Sequence, residues 1–566
     1  MPLWLLGVIA FPIAIVLLGQ GITTPFTKDQ EPQYAQWIES ATDGSLLLQR
    51  DYYGGPAEKP PLFFVTSAAV VRLSGGRVNE AKSRAVSLIA GAALATLLLI
   101  WAASTMGIWP GLLAFLFIVG SYGFAARATL AQSDMLLAFF MFGSWLLIYP
   151  HFVEPPSSAR TVLIGVAFGL GILTKGPIAV LLPAIAAITY QLLARLDLGK
   201  LLCKSWPWRV ATIALAISAL WYVPGYMAAG HQFAHIALKE NLGHFLPPSM
   251  GGTGESGRPW FYIVERTFGA MLPMSLLLPL VIVLPFGDWI GDHRRTPTLY
   301  HVSYAMASVL FFTAAAVKRD DYVLPALPSL AICFAALFTI KPRSLATRIR
   351  DIVAAGCVTT LLLGLIAGIV CERCGGKVAQ LSLDFVPRDQ MLVNLLEGWM
   401  RTMRWPFELA LGASTMAAIA TWSGVLSGLP ELTGTGLGIV GITGVLLFTA
   451  AIRPMINQER TLKYAAAGAL AIAGDSPLYV VGRPNYELAF YAKHAVPPLS
   501  VREASFRGPG NLRFQKIEKP SYLFAYDDET AELQSRDRSC LRRIRTWPVA
   551  GQEGSPSIYE IDPSTR

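Results

Sequence analysis

The sequence predicts a polytopic α-helical membrane protein of about thirteen spans, with a small α/β unit appended at its C-terminal end. Three observations carry this expectation. Hydrophobic residues make up 53% of the chain and charged residues only 15%, and the mean hydropathy of +0.48 lies far from soluble-globular averages. Apolar runs long enough to cross the hydrocarbon core, about 17 to 25 residues, recur between residues 3 and 452. Beyond residue 453 the chain turns mixed polar and apolar. The expected division is a membrane domain over 1–453, with a first outside loop over 21–83, and a soluble domain over 454–566.

The first apolar run, residues 3–18, has no basic n-region and no small-residue cleavage site after it, so it reads as a retained helix rather than a signal peptide. The next run, residues 61–73, gives only about a dozen residues before Ser74-Gly75-Gly76 and includes Arg72. That is too short to span, and it reads as an interfacial helix on the side where the first loop emerged. The remaining crossings fall near 84–104, 108–125, 134–149, 160–173, 178–194, 209–227, 267–286, 299–316, 322–340, 352–370, 405–425 and 436–453. Basic residues crowd the breaks assigned to the cytoplasm: Arg195, Lys200, Lys204, Arg209, Arg294, Arg295, Lys341, Arg343, Arg348 and Arg350. An odd number of crossings places the tail outside with the first loop. In the tail, β-like runs at 477–481, 522–526 and 557–561 alternate with a helical stretch at 485–493.

Among the six cysteines, Cys203, Cys333 and Cys357 sit in or beside apolar helices as small hydrophobes, and Cys540 stands in the tail. Cys371 and Cys374 have a spacing able to close a small disulfide in an oxidising compartment. The net charge of +9 comes mainly from the inside loops and a tail cluster (Arg536, Arg538, Arg542, Arg543, Arg545), which suits a solvated face or anionic headgroups. Membrane lipids are expected neighbours, and no nucleic acid is.

This topology gathers polar residues on one face. The first loop holds Asp29, Glu31 and Tyr34, then the run from Asp51 to Leu62 with Glu58, Lys59, Pro60 and Pro61. Asp134 opens a helix, where a carboxylate can cap. Lys175, in Thr174-Lys175-Gly176-Pro177, can snorkel at a helix end. The loop expected over 228–266 holds His231, His235, Lys239, Glu240, His244, a glycine-rich run at 251–257 and Arg258. That run lacks the Walker spacing, so flexibility over a bound substrate is the inference. Lys318-Arg319-Asp320-Asp321-Tyr322 reads either as a self-neutralised turn or as part of a site.

A boundary pocket with both signs of charge suits a lipid-linked phosphate whose tail lies among helices while its head meets Lys and Arg. Sugar transfer from such a phosphate needs charge stabilisation on the leaving group and a carboxylate to take a proton from the attacking hydroxyl. The strings Gln30-Glu31-Pro32-Gln33-Tyr34-Ala35 and Gly55-Pro56-Ala57-Glu58-Lys59-Pro60-Pro61-Leu62, then Ser133-Asp134, Leu173-Thr174-Lys175-Gly176-Pro177 and Lys318 ahead of Tyr322-Val323-Leu324-Pro325, resemble in order the motifs of the GT-C membrane glycosyltransferases that use polyprenyl-phosphate sugars. The likeness is to the lipid A aminoarabinose transferase and protein mannosyltransferase group, and it covers roughly residues 25–330.

That resemblance implies that Glu58 and Lys59 line the site with Lys59 on donor phosphate, that Asp134 is an essential carboxylate, and that Lys175, Lys318 and Tyr322 help hold the donor; Tyr34 and Arg258, gathered on the same face, join them as candidate substrate contacts. Where the group has Asp-Glu in its first loop this chain has Gln30-Glu31, with Asp29 one position earlier, so either Asp29 takes the base role through a local shift, or Glu31 takes it, or the chemistry differs. A divalent ion, if one is used, would look to Glu58 or His244. The expected function is transfer of a sugar from a polyprenyl-phosphate carrier to lipid A, another envelope glycolipid or polysaccharide, or a protein, on the periplasmic side of a bacterial inner membrane. The competing expectation is a transporter or flippase of lipid-linked saccharides, which would favour midplane charges and internal repeats.

Overall fold

A computed structural model describes residues 2–27, 30–197, 199, 203–243, 257–286, 292–340, 344–373, 405–481, 483–499, 521–531, 540–549 and 555–561. They form two compact units. One comprises Met1–Ile22, Glu58–Thr66 and Arg84–Ile452, and the other Thr23–Ala57, Ser67–Ser83 and Arg453–Arg566. The stretch expected as one first loop is thus divided between them.

The first unit is helical. Among the described residues, seven helices are long and apolar enough to span a membrane, or nine if each of two bent pairs is one crossing. The count of thirteen is not reached by that measure, for a physical reason. Leu3–Leu18, Ile178–Leu193 and Ala326–Leu337 are apolar but short; twelve residues at about 1.5 Å each give roughly 18 Å against a core of about 30 Å. Ile108–Val119 and Tyr122–Ala128 meet at 66°, and Tyr262–Ala270 and Met274–Val283 at 116°, so two runs that read as straight crossings are broken. Exposed side chains such as Leu215, Leu220, Ile352 and Leu363 suit hydrocarbon rather than water. The protein is a multi-pass membrane protein.

The helix expected over 209–227 instead runs Ser205–Leu242, with one interruption at Gly230 (φ 54°, ψ −134°). His231, His235, Lys239 and Glu240 therefore lie on a helix, not on a loop. Inside the unit, Trp145 stacks on Tyr300 at 3.8 Å between ring centroids, and the Tyr300 hydroxyl donates to the Trp145 carbonyl at 2.7 Å. This fastens Asp134–Ile148 to Asp292–Ala314.

The second unit holds a five-stranded sheet: β1 (Leu478–Val481), β2 (Pro498–Leu499), β3 (Ser521–Tyr526), β4 (Leu541–Thr546) and β5 (Pro556–Ile561), in the order β2-β1-β3-β5-β4. β1 is parallel to β2 and β3, whereas β5 is antiparallel to β3 and β4. Strands form over the three runs marked by alternation, and β2 and β4 lie outside them. The β4 pattern Leu-Arg-Arg-Ile-Arg-Thr is dominated by exposed arginines, as befits an edge strand. Lys463–Ala473 and Tyr486–Ala492 cover the sheet through Ala466, Ala469, Leu488, Phe524, Trp547 and Ile558. Residues 23–57 are built into this unit: Phe26 N donates to Tyr491 Oη at 2.9 Å, Gln36 Nε2 to the Tyr486 carbonyl at 2.9 Å and Tyr53 Oη to the Val496 carbonyl at 3.0 Å. Asp51 closes its own turn by accepting from Tyr53 N and Gly55 N. Cys374, and with it the expected pair with Cys371, lies outside the described residues.

Candidate active site

One cavity of about 380 Å³ in the first unit draws together motifs scattered from residue 58 to residue 325. Its charged lining is Glu58, Lys59, Asp134, Lys175, Glu240 and Asp321, with Tyr222, Asn241 and Tyr322 beside them. Leu137, Ile178, Leu181, Trp221, Phe311 and Phe312 make an apolar wall. The charged residues sit at or near the ends of elements. Pro60 follows Lys59 directly and fixes an extended approach to the helix Leu62–Ser74. Asp134 is the first residue of its helix and Lys175 the last of the next. Glu240 rides near the end of Ser205–Leu242. Asp321 and Tyr322 belong to a single 3-10 turn, Asp320–Val323.

Four ion pairs organise the cavity. Lys59 Nζ is bonded to Glu240 Oε2, and Lys175 Nζ to Asp134 Oδ1. Lys175 also lies 3.3 Å from Asp321 Oδ2, and Arg319 Nε donates to Asp321 Oδ1 at 3.1 Å. Asp134 does not cap its helix with its side chain: Ser133 occupies the cap position and the carboxylate is turned to Lys175. Its place at a positive helix end, and that of Lys175 at a negative one, favour both charges.

Burial lowers the Lys59 ammonium to about 8, with Lys175 adding to the effect and Glu58 opposing it. Burial by itself would raise Asp321, but Lys175, Arg319 and Arg127 together outweigh it and hold the carboxyl well below its ordinary range. Burial also raises the Tyr322 phenol, against the pull of Lys175, so at neutral pH it is a hydrogen-bond donor.

Of the residues singled out from sequence, Glu58, Lys59, Asp134, Lys175 and Tyr322 meet in this cavity. Arg258 and Lys318 are not among its lining. Arg258 Nη1 donates to Tyr262 Oη at 2.6 Å and to the Lys318 carbonyl at 3.0 Å, and it lies 3.4 Å from Asp320 Oδ1. Lys318 Nζ donates to the Ala315 carbonyl at 3.0 Å. Glu31 and Tyr34 are buried on the helix Gln30–Thr42 of the second unit, where Tyr34 packs against Trp37 at 5.3 Å. Asp29 and His244 lie outside the described residues. No group of three possible metal ligands occurs among the described residues.

Glu240 and Asp321 also line the cavity, and neither is singled out as a site residue by sequence. The signal for Glu240 was a lone acid in an apolar chain, hidden because its segment reads as a histidine-rich loop. The signal for Asp321 was its place directly before Tyr322, masked by a run of charges that sums to zero.

The family model described as dolichyl-phosphate-mannose-protein mannosyltransferase matches residues 58–222, the stretch that carries Glu58, Lys59, Asp134 and Lys175. Relatives named undecaprenyl phosphate-alpha-4-amino-4-deoxy-L-arabinose arabinosyl transferase include one from Pseudomonas savastanoi pv. phaseolicola, 28% identical over 73% of this chain and 75% of its own. Another, from Shewanella sediminis, is 26% identical over 57% of this chain and 58% of its own. A third, from Pseudomonas fluorescens, is 27% identical over 30% of this chain. The chain spans only 28% of that third relative's length, and less than two thirds of the second's. Among solved structures, ArnT from Cupriavidus metallidurans bound to undecaprenyl phosphate superposes with a TM-score of 0.70 at 18% identity, covering 99% of this chain and 98% of that one. Its apo state gives 0.69. In fold along nearly its whole length, and in sequence over residues 58–222, the chain is similar to the GT-C membrane glycosyltransferases that use polyprenyl-phosphate sugars, the aminoarabinose transferases among them.

Proposed function

We propose that the protein is an inverting glycosyltransferase that moves one sugar from a polyprenyl-phosphate carrier to lipid A or another cell-envelope acceptor, with its cavity facing the periplasm across a bacterial inner membrane. The observation that supports this best is the pairing of two lysines with four carboxylates around a cavity whose remaining wall is apolar. Few reactions need cations, acids and a greasy channel together. A lipid phosphate meets all three.

In this reading the donor phosphate takes Lys59 and the prenyl chain follows the apolar wall. Tyr322 donates to a phosphate oxygen, and Lys175, steadied by Asp134 and Asp321, adds positive potential nearby. The acceptor oxygen forms a bond to the anomeric carbon from the face opposite the phosphate. The bond from that carbon to the phosphate oxygen breaks, and its electron pair leaves with polyprenyl phosphate. The acceptor's proton passes to a carboxylate. Within the cavity Glu58 is the exposed acid with no ion-pair partner among the described residues, and Asp29 or Glu31 is the base that the family resemblance implies. A phosphate leaving group needs little protonation, so one base suffices.

Purified protein in detergent, given radiolabelled polyprenyl-phosphate sugars and envelope acceptors, tests the proposal. The expected result is donor consumption that depends on acceptor, with release of free polyprenyl phosphate. The relatives' names make 4-amino-4-deoxy-L-arabinose on undecaprenyl phosphate the first donor to offer. Movement of intact donor across vesicles without cleavage would instead establish transport.

A further inference from the structure

The helix Asp292–Ala314 reaches a cavity at each of its ends. Phe311 and Phe312, at one end, belong to the wall of the candidate active site. Arg294, at the other, lines a second cavity of about 260 Å³. From Arg294 to Phe311 the helix rises roughly 26 Å, at about 1.5 Å per residue. The helix Ala326–Leu337 repeats the arrangement: Pro325, just before it, lines the first cavity and Phe338, just after it, lines the second. A hydrocarbon core is about 30 Å thick, so the second cavity lies at the opposite membrane boundary from the candidate active site.

Two unlike charges line this second cavity: Arg294, and Glu431 in the first turn of Pro430–Leu446. They are not paired with each other, and neither has an ion-pair partner among the described residues. Arg294 Nε donates to the Met106 carbonyl at 3.0 Å, which orients the guanidinium and leaves its two Nη groups for another acceptor. Gly107 and Ile108 lie on the same wall, at the start of Ile108–Val119, where the positive end of a helix favours an anion. Arg350, by contrast, is committed: it sits over the Phe338 ring and pairs with Asp351. Ile108 and Trp109 are exposed beside the cavity, as befits side chains that meet lipid at headgroup level.

A cation and an acid that share a cavity without neutralising one another match a ligand that carries the converse pair. A phosphate can accept from the Arg294 fork bidentately, and a primary ammonium brings N–H donors to the Glu431 carboxylate. Phosphoethanolamine joins the two by a short ethylene spacer, and acyl chains attached to it would leave the cavity past Ile108 and Trp109. We propose that this cavity binds the head of a membrane glycerophospholipid bearing both a phosphate and a primary ammonium, with the phosphate on Arg294 and the ammonium on Glu431. Such a lipid bridges Asp292–Ala314 and Pro430–Leu446 at the boundary away from the proposed reaction. The inference goes beyond the transferase reading and stands whether or not that reading holds.

The test titrates the purified, delipidated full chain in detergent with phosphatidylethanolamine, phosphatidylcholine and phosphatidylglycerol of identical acyl chains. Retained lipid is counted by native mass spectrometry, and thermal unfolding is followed in parallel. Wild type is expected to bind phosphatidylethanolamine roughly tenfold more tightly than either other lipid, the scale of one charge-assisted hydrogen bond, and to melt at a higher temperature in its presence. Phosphatidylcholine offers Glu431 no N–H, and phosphatidylglycerol offers it no cation. Glu431→Gln is expected to lose the discrimination against phosphatidylglycerol while its lipid-free melting temperature stays that of wild type. Arg294→Gln is expected to weaken all three lipids alike, and Arg294→Lys to recover part of the loss. Equal binding of the three lipids by wild type overturns the proposal. So does a preference that Glu431→Gln leaves unchanged, or binding that Arg294→Gln leaves undiminished. If Arg294→Gln fails to fold, the selectivity of Glu431→Gln decides alone. Soluble glycerophosphoethanolamine, which has no acyl chains, is expected to compete only in large excess, and competition at equal concentration overturns the lipid as occupant.

Discussion

Asp134, at the first turn of one helix, is ion-paired with Lys175, at the last turn of the next. The opposed helix ends stabilise the two charges separately, and Asp321 approaches the same ammonium at 3.3 Å. Asp134→Asn keeps the shape, removes one charge and leaves Lys175 with Asp321. The expected result is a fall of about a hundredfold or more in kcat/KM with a nearly unchanged melting temperature. Asp321→Asn differs, since it leaves Lys175 and Arg319 facing one another without their shared buried acid. That change is expected to cost about 3 kcal/mol of stability as well as activity. Thermal unfolding in detergent beside donor turnover separates the two, and an inactive but equally stable Asp321→Asn would refute the structural half.

The depressed ammonium of Lys59 sets a pH dependence whose sign is fixed. Folding lowers this group from 10.5 to about 8, so between those values the unfolded chain binds more protons and stability rises with pH. Function runs the other way. Phosphate requires the charged lysine, so kcat/KM for the donor is expected to decline above pH about 8. Bound phosphate favours the cation, which moves the corresponding limb of kcat to higher pH. Lys59→Arg keeps its charge throughout and is expected to flatten the alkaline limb even if it lowers the maximum. An alkaline limb identical in wild type and Lys59→Arg would exclude Lys59 as its source.

The part of this site legible in the sequence is the part that stands out chemically from an apolar chain. Glu58-Lys59, Asp134, Lys175 and Tyr322 are isolated polar residues next to prolines or at the ends of apolar runs, and each reached the cavity. Where charges came in groups, pattern could not choose among them. In Lys318-Arg319-Asp320-Asp321, alternate residues turn opposite ways around a 3-10 turn, so Asp321 enters the cavity while Asp320 pairs with Arg258 and Arg266 outside it. Glu240 was illegible for another reason: the helix resumes after Gly230, and a break followed by histidines reads as a loop. Hydropathy likewise marked the apolar runs but not their bends, which fall at Gly120-Ser121 and 271–273.

Gly176, between Lys175 and Pro177, lies at φ 92° and ψ −168°, a conformation that only glycine adopts readily. A methyl group there would also come within 2.1 Å of Asn241 Oδ1. Gly176→Ala is therefore expected to cost about 1–3 kcal/mol from the backbone alone and to push Asn241 off Tyr222, loosening the helix end that carries Glu240. A lower melting temperature together with a raised donor KM is the expected pair of readouts. An alanine variant that matches wild type in both would show that neither the turn nor the Asn241 contact matters.

In the second unit, Glu487 is a buried carboxylate, 5% exposed, in the first turn of Tyr486–Ala492. It accepts from Leu462 N at 2.6 Å and from Thr461 Oγ1 at 3.1 Å, just where Lys463–Ala473 begins. The first amides of a helix have no partners within it, and no side chain in that helix's own cap position supplies one. Glu487 does so from another helix and thereby fixes how the two lie on the sheet. Glu487→Ala strands a buried N–H at an expected cost of about 1–3 kcal/mol, whereas Glu487→Gln keeps an acceptor oxygen and is expected to recover most of it. Limited proteolysis within residues 453–566 should therefore be fastest for the alanine variant and close to wild type for glutamine. Equal protection in all three would mean that the apolar contacts among Ala466, Leu488 and Phe524 hold the two helices on the sheet without the carboxylate.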